Sequence, residues 1–361
     1  MASIIREGKA EIFLENFENF KGPGKRMPGF YNPTFSMDRD IQIVFCQHIV
    51  NRGARRILDA MAATGIRGIR MALEVEGEKE VDINDCNVLS FQIIKKNVEM
   101  NGAIVNIFNR KICSLMEERR YDYIDLDPYG SPAPFIPFIF SGMKKKTYVS
   151  ISATDTATLC GAYRKTCMRR YGAIPVRRDG VREAGLRILL GFIARAAAVH
   201  DYAFVPLISY VHSHYFRVYG LMERGARKAD DSIRNVGWIY WEDGWKISPF
   251  EEMVKDASGP MWIGGLHDIT FIKEMRKGMD SMNLEHEHEI RKLLHHFEEE
   301  AEMPPLYYET GRIASEAKGK QPKMDALIEN LRGMGYKAGR CHFTPNAIKS
   351  DVPYSEIMKL F

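Results

Sequence analysis

Residues Tyr121–Phe135 read YDYIDLDPYGSPAPF, an apolar and aromatic run that stops at Asp127-Pro128-Tyr129-Gly130. Tyr123, Ile124 and Leu126 have the composition of a short strand, and Pro128 has no N–H to give a sheet ladder, so the strand ends there. A carboxylate, a turn and an aromatic ring are thereby presented at a strand's carboxyl end, the place where open α/β sheets bind ligands. The Asp127 side chain and the Pro128 carbonyl are acceptors and Tyr129 is a stacking face, which suits a base with an exocyclic amino group. In isolation, DPYG reads more simply as a turn closing a strand.

The segments upstream change that balance. Arg56–Ala60 (RILDA) is a second short strand, followed by MAATGIRGIRMAL, a small-residue loop that turns at Gly65 and becomes a helix. Strand, glycine loop and helix open a nucleotide-binding βαβ unit, in which the helix N-terminus offers free N–H groups. Glu80–Asp85 (EVDIND) is a third strand, with Asp85 twenty residues beyond Gly65, a separation at which an acidic side chain accepts from ribose hydroxyls. The alternative for Asp85 is a helix N-cap ahead of the periodic Val88, Phe91, Ile94, Lys95 and Val98. There is no third glycine of a dinucleotide fingerprint and no GK[ST], so neither a pyrophosphate nor a triphosphate cradle is supported. A nucleoside without phosphates fits better, and S-adenosylmethionine is the common cofactor of that kind. Asp59, Gly65, Asp85 and Asp127-Pro128-Tyr129 follow one another as successive strand ends of one sheet.

With those segments, Phe30-Tyr31-Asn32-Pro33, Asp38-Arg39-Asp40, SATDTATLCGAYRKTCMRRYGA, HYFRVYG, GPMWIGGL and CHFTPNAIKSD make the chain resemble the archaeal tRNA guanine-N2 dimethyltransferases from about Phe30 to Asp351. DPYGSP and SATDTATLCGAYRKTC are the specific segments. The resemblance implies an α/β fold, a Rossmann-like mostly parallel methyltransferase sheet with a second, smaller α+β C-terminal domain. It implies transfer of one and then two methyl groups from S-adenosylmethionine to the N2 amino group of guanine 26 of tRNA. By matching position it sets the cofactor against Arg39, Arg67 and Asp85, over the loop of Asp59 and Gly65. The target base falls among Phe30, Asp127, Pro128 and Tyr129. Members of the family commonly carry Asp-Ala at the end of the next strand, where the Asp takes the adenine amino group. Here Lys111-Ile112 stands there, and a lysine ammonium has no acceptor to offer.

The chemistry is consistent with those roles. The guanine N2 lone pair is delocalised into the ring, and acceptors on its N–H groups favour the rehybridisation that makes it nucleophilic. After the first methyl group only one N–H remains, so the pocket must keep one acceptor engaged and offer an apolar wall, for which Phe30 and Tyr129 are candidates. A guanine stacked in folded tRNA must be everted to reach a buried methyl donor.

Charge points to the same substrate class. The net charge is only +4, but Ser141–Leu190 carries eleven Lys and Arg against three carboxylates. Lys144, Lys145, Lys146, Arg164, Lys165, Arg169, Arg170, Arg177 and Arg178 are the expected contacts to RNA phosphates. The six cysteines form no CxxC pair, which leaves a tetrahedral zinc site unsupported, and His286, His288, His295 and His296 lie on an amphipathic helical pattern rich in glutamate. No metal is expected. There is no apolar run of membrane-spanning length and no h-region at the N-terminus, and few scattered cysteines agree with a cytoplasmic enzyme; no membrane and no obligate protein partner are expected.

Helix and strand patterns alternate through Tyr219, including the helix GLRILLGFIARAAAVHD and the strand pair VPLISYVHS and YFRVYGLMER. GARKADDSIRN then reads as a polar linker. The expected division is 1–224 for the methyltransferase domain with its N-terminal lead-in and 225–361 for a C-terminal α+β domain contacting RNA. Two further readings compete with a tRNA guanine methyltransferase: a methyltransferase on another exocyclic amine such as adenine N6, because DPYG resembles the DPPY corner, and a non-catalytic RNA-binding relative.

Overall fold

In the computed structural model, residues 3–14 and 29–361 are described; parts of the lead-in expected before Arg39 lie outside them. The chain divides into two compact units that interleave along the sequence: Met1–Ala153, Tyr219–Glu223 and Lys273–Lys292 form the first, and Thr154–Val218, Arg224–Ile272 and Leu293–Phe361 the second. One crossing falls between Glu223 and Arg224, and the others follow Ala153, Val218, Ile272 and Lys292. GARKADDSIRN, expected as a linker, is instead a helix over Ala226–Ile233 that buries Ala229 and Ser232.

The first unit opens with the hairpin β1 (Ser3–Glu7) and β2 (Ala10–Leu14), followed by α1 (Ser36–Asn51). Then come β3 (Arg56–Asp59), α2 (Ile66–Glu74), β4 (Glu80–Asn84), α3 (Val88–Asn101), β5 (Asn106–Phe108), α4 (Ile112–Glu118), β6 (Tyr121–Leu126) and β7 (Met143–Ala153). The strands stand in the order β5-β4-β3-β6-β7 and every neighbouring pair is parallel. The sheet is covered on its faces, which is why Ile57, Leu58, Val81, Ile83, Ile124 and Leu126 are all buried rather than alternating with polar residues. Strand order reverses at β3: β4 and β5 lie to one side and β6 and β7 to the other. Asp59 and Asp127 thus sit at neighbouring strand ends beside the switch point, the crevice such sheets offer to ligands.

Local details follow from the residues. Gly65 caps α2 in the left-handed conformation at φ 81°, and a Cβ on Gly68 would come within 2.4 Å of Ile83, so these glycines allow the tight turn and the close seating of α2 on β4. α3 buries Ser90, Ile93, Ile94 and Asn97, a face shifted from the expected one that leaves Val88 exposed. Asn97 explains the shift: its amide donates to the Thr64 carbonyl at 2.9 Å and accepts from the Phe13 N–H at 2.8 Å, tying the glycine loop and β2 to one helix.

The second unit contains α5 (Arg164–Tyr171), α6 (Val181–Ala198), and the strand β8 (Tyr202–His212) followed by the first residues of β9 (Tyr215–Arg224). It also holds two small sheets of three strands each, within Val236–Trp262 and within Tyr308–Ser350. A core of Tyr308, Ile313, Leu327, Leu331, Ile348 and Ile357 lies here, with Trp241 and Trp245 packed against it as apolar filling. No described helix is long and apolar enough to cross a membrane.

Candidate active site

Three strand ends of the first unit supply the site. At the end of β3, the Asp59 Oδ2 accepts from the Gly68 N–H at 3.0 Å. Its burial, reinforced by the nearby Asp125, pushes its carboxyl well above the usual range. At the end of β4, Asp85 is not the cap of α3. That role belongs to Asn87, whose side chain accepts from the N–H groups of Leu89 and Ser90. Asp85 instead uses Oδ2 to hold the Ala63 N–H at 2.9 Å and Oδ1 to hold the Asn87 N–H at 2.8 Å. Ala63 takes φ 52° within the loop, and this bond fixes it there. Burial raises the Asp85 pKa, against the pull of those two N–H groups. Each carboxylate oxygen keeps a lone pair beyond the bond it makes, so the pair can accept from a diol.

Lys111 is the exposed N-cap residue of α4 and makes no capping bond with its side chain, while Ile112 behind it is buried. The loop before them is tied to the end of β4: Asn84 bonds the Arg110 N–H and carbonyl, and the Asn109 side-chain amide donates to the Asp85 carbonyl at 2.8 Å. Asn109 is a polar group that the sequence pattern did not single out. Its carboxamide oxygen is an acceptor two residues from Lys111, which has none.

At the end of β6, Asp127 is partly exposed and Tyr129 is exposed, with the ring of Phe30 4.9 Å from that of Tyr129 at an interplanar angle of 68°. The Tyr129 hydroxyl is raised by burial and by the carboxylates of Asp127 and Asp85. Asp127 is not isolated. Arg67 donates to its Oδ2 from Nε at 3.0 Å and approaches it with Nη2 at 2.9 Å. The same guanidinium gives Nη1 to Gln42 Oε1 and Nη2 to Asp38 Oδ2, both at 2.6 Å.

Arg39 is also committed to protein groups. It forms a bidentate pair with Glu7 at 2.6 Å for each bond, donates to the Asn32 carbonyl and lies 4.8 Å over the Tyr31 ring. Arg70 joins the same group through Glu7, Asp40 and Glu74. Although burial acts to raise it, the Glu7 carboxyl is held down at about 2 by Arg39 and Arg70. The structure therefore brings Phe30, Asp59, Gly65, Arg67, Asp85, Asp127, Pro128 and Tyr129 into the first unit's strand-end region, with Arg39 in the ion-pair layer behind it.

The expected RNA-contacting cations differ in availability. In the first unit Lys144 pairs with Asp122 and Lys146 with Glu223, while Lys145 has no ion pair among the described residues. In the second unit Arg170 pairs with Asp155, and Arg178 pairs with Glu316 and lies 3.9 Å over the Trp241 ring. Arg164, Lys165, Arg169 and Arg177 carry no ion pair among the described residues. Arg187, counted in the same basic stretch, is buried against Glu183 and is no part of a surface.

The histidines of the glutamate-rich helix do not converge. His286 bonds Asp40, and His295 and His296 lie beside Glu299. A different group does come together in the second unit: His267, Glu300 and His342, with potential ligand atoms within 4.8 Å. The Val211 N–H faces His342 Nε2 at 3.4 Å, which places the imidazole proton on Nδ1, where Glu300 accepts it at 3.0 Å. The Ser209 N–H likewise faces His267 Nδ1. A backbone N–H thus faces one ring nitrogen of each histidine. His342 and Glu300 are joined by hydrogen bonds, while His267 Nε2 is buried without a hydrogen-bond partner among the described residues.

The strand-end geometry can be set beside known proteins. A family model described as N2,N2-dimethylguanosine tRNA methyltransferase matches residues 8–361. The chain is 35% identical to the tRNA (guanine(26)-N(2))-dimethyltransferase of Thermococcus kodakarensis, covering 98% of each. It is 36% identical to the protein of that name from Pyrococcus abyssi, covering 97% of this chain and 96% of that one. Among solved structures it is similar to Trm1 from Pyrococcus horikoshii in complex with S-adenosyl-L-methionine, with a TM-score of 0.89, 34% identity and 99% of each chain covered.

Proposed function

The chain belongs to the N2,N2-dimethylguanosine tRNA methyltransferase family, and from that premise we propose that it transfers two methyl groups in turn to the N2 amino group of guanine 26 of tRNA. The observation that carries this reading is the Asp127-Pro128-Tyr129 corner at a strand end, one strand away from a loop built for a nucleoside.

That loop fits S-adenosylmethionine by its own chemistry. Gly65 and Ala63 turn the backbone left-handed ahead of α2, and Asp85 keeps acceptor capacity for two ribose hydroxyls. Ile112 supplies an apolar wall and an N–H at the start of α4 for the adenine. In place of the Asp that family members commonly carry where Lys111 stands, the Asn109 carboxamide oxygen takes the adenine amino group. When bound, the cofactor supplies an electrophilic methyl group on a sulfonium.

The chain's residues do the rest. Asp127 and the Pro128 carbonyl accept hydrogen bonds from the two N–H groups of the guanine amine, drawing the nitrogen toward tetrahedral geometry and stabilising the charge that arrives on it, and the proton the methylated nitrogen then loses passes to Asp127 or directly to water. Tyr129 and Phe30 receive the everted base and form the apolar corner into which the first methyl group turns. Lys145, Arg164, Lys165, Arg169 and Arg177 grip phosphates without reading sequence. On this reading residues 1–224 carry the cofactor chemistry, supported by the position of every named cofactor residue before Arg224, and 225–361 extend the contact with RNA.

Nucleoside analysis of an unmodified tRNA transcript after incubation with the protein and S-adenosylmethionine tests this. N2-methylguanosine followed by N2,N2-dimethylguanosine, lost when guanine 26 is replaced, is the expected result. N6-methyladenosine, or no methylated nucleoside, would contradict it.

A further inference from the structure

Asp127 is partly exposed, yet its side chain is anchored from the interior. Arg67 Nε and Nη2 both converge on Oδ2, which leaves Oδ1 without a partner among the described residues. The guanidinium cannot swing, because its remaining donors are held by two buried acceptors on α1: Gln42 Oε1 at Nη1 and Asp38 Oδ2 at Nη2. Gln42 is itself fixed, since its amide donates to the Tyr123 hydroxyl at 3.1 Å, and that hydroxyl lies 2.6 Å from Ser150 Oγ. A chain of buried polar groups thus runs from α1 and the sheet interior out to one oxygen of the carboxylate at the crevice.

We propose that Asp38 and Gln42 are positioning residues that act through Arg67 to lock the Asp127 carboxylate, dedicating Oδ2 to the protein and Oδ1 to the guanine amino group. This rests on the reading of Asp127 as the amino-group acceptor. Methyl transfer needs nitrogen, carbon and sulfur in line, and a carboxylate free to rotate would hold the amino group in that line only part of the time. It also assigns Arg67 a different partner from the expected cofactor: a direct cofactor contact would have to displace one of these bonds.

The test is single-turnover methyl transfer to a tRNA transcript by the full-length protein at saturating S-adenosylmethionine. Asp38→Asn keeps the side chain's shape and weakens the hold on Nη2; the rate is expected to fall about 100-fold, the cost of a misplacement near 1 Å. Affinities for cofactor and tRNA are expected to stay at their wild-type values. In an Asp127→Asn background the same change is expected to cost nothing further, because the two residues act as one unit. Gln42→Met removes the other acceptor without altering charge and is expected to show the same pattern, which keeps the test open should Asp38→Asn fail to fold. Equal losses in both backgrounds, or a loss confined to cofactor affinity, would overturn the proposal. If Asp127→Asn is slow while Asp38→Asn and Gln42→Met are as fast as wild type, the positioning fails and the acceptor reading stands. If Asp127→Asn is itself as fast as wild type, both fail.

Discussion

The Phe30 and Tyr129 rings meet edge to face, their centroids 4.9 Å apart, and so form a corner rather than a clamp. A base sandwiched between two rings needs them parallel and far enough apart to admit a third ring, whereas 4.9 Å is the contact separation of an aromatic pair. In the proposed reading the base therefore lies against one face, and Tyr129 is the exposed partner. Tyr129→Phe is expected to keep activity, because the ring and not the hydroxyl does the stacking. Tyr129→Ala is expected to weaken productive tRNA binding by about 1–3 kcal/mol. Steady-state kinetics on the two variants check this, and equal loss in both would point to the hydroxyl.

In the proposed reading Asp85 accepts from the cofactor's ribose hydroxyls. Asp85→Asn is expected to weaken S-adenosylmethionine binding by about 1.5–3 kcal/mol, the range for a hydrogen bond to a charged group. Burial raises the Asp85 pKa above its ordinary value, and the charged form is the better acceptor. Cofactor affinity should then decline as pH falls through that raised value, and the Asn variant should lack the decline. Calorimetry across pH reads both.

Glu7 holds two buried arginines. Its folded pKa, near 2, lies below the ordinary 4.5, so its stabilisation is present in full above about pH 4.5 and is lost as pH falls toward 2. Glu7→Gln is expected to cost about 3–5 kcal/mol at neutral pH by leaving Arg39 and Arg70 with less compensation. Thermal melts from pH 7 to pH 3 should show the wild type losing stability in that acid window and the variant losing less.

Lys165 and Arg169 carry no ion pair among the described residues, whereas Arg178 is committed to Glu316 and Trp241. Replacing Lys165 and Arg169 by Ala should weaken binding of all tRNAs alike and lower the slope of log affinity against log salt by roughly one for each phosphate no longer neutralised. Arg178→Ala should reduce melting temperature more than that slope. Binding measured at several salt concentrations separates the two.

The sheet and its strand-end residues were readable because each strand stops in sequence where it stops in space: ILDA at a small-residue loop, VDIN at Asp85, and YIDL at Pro128. Backbone chemistry marks those ends locally. Asp38 and Gln42 carry no such mark. Asp38-Arg39-Asp40 looks like the charged first turn of a helix, and only the packing of α1 on α2 brings these residues to Arg67. The helix at Ala226–Ile233 was hidden for a related reason, since GARKADDSIRN is polar enough to pass for a linker and its two buried positions, Ala229 and Ser232, are small. Asn87 as the cap in place of Asp85 turns on a choice between neighbours with nearly equal capping preference, decided by the bond Asp85 makes to Ala63.

The proposed mechanism requires the Asp127 carboxylate to accept from the guanine amino group. Its most direct test is nucleoside analysis of tRNA treated with Asp127→Ala, paired with calorimetry of S-adenosylmethionine binding to the same protein. Near wild-type cofactor affinity with neither N2-methylguanosine nor N2,N2-dimethylguanosine formed is the predicted result. Wild-type yields of both nucleosides would contradict it.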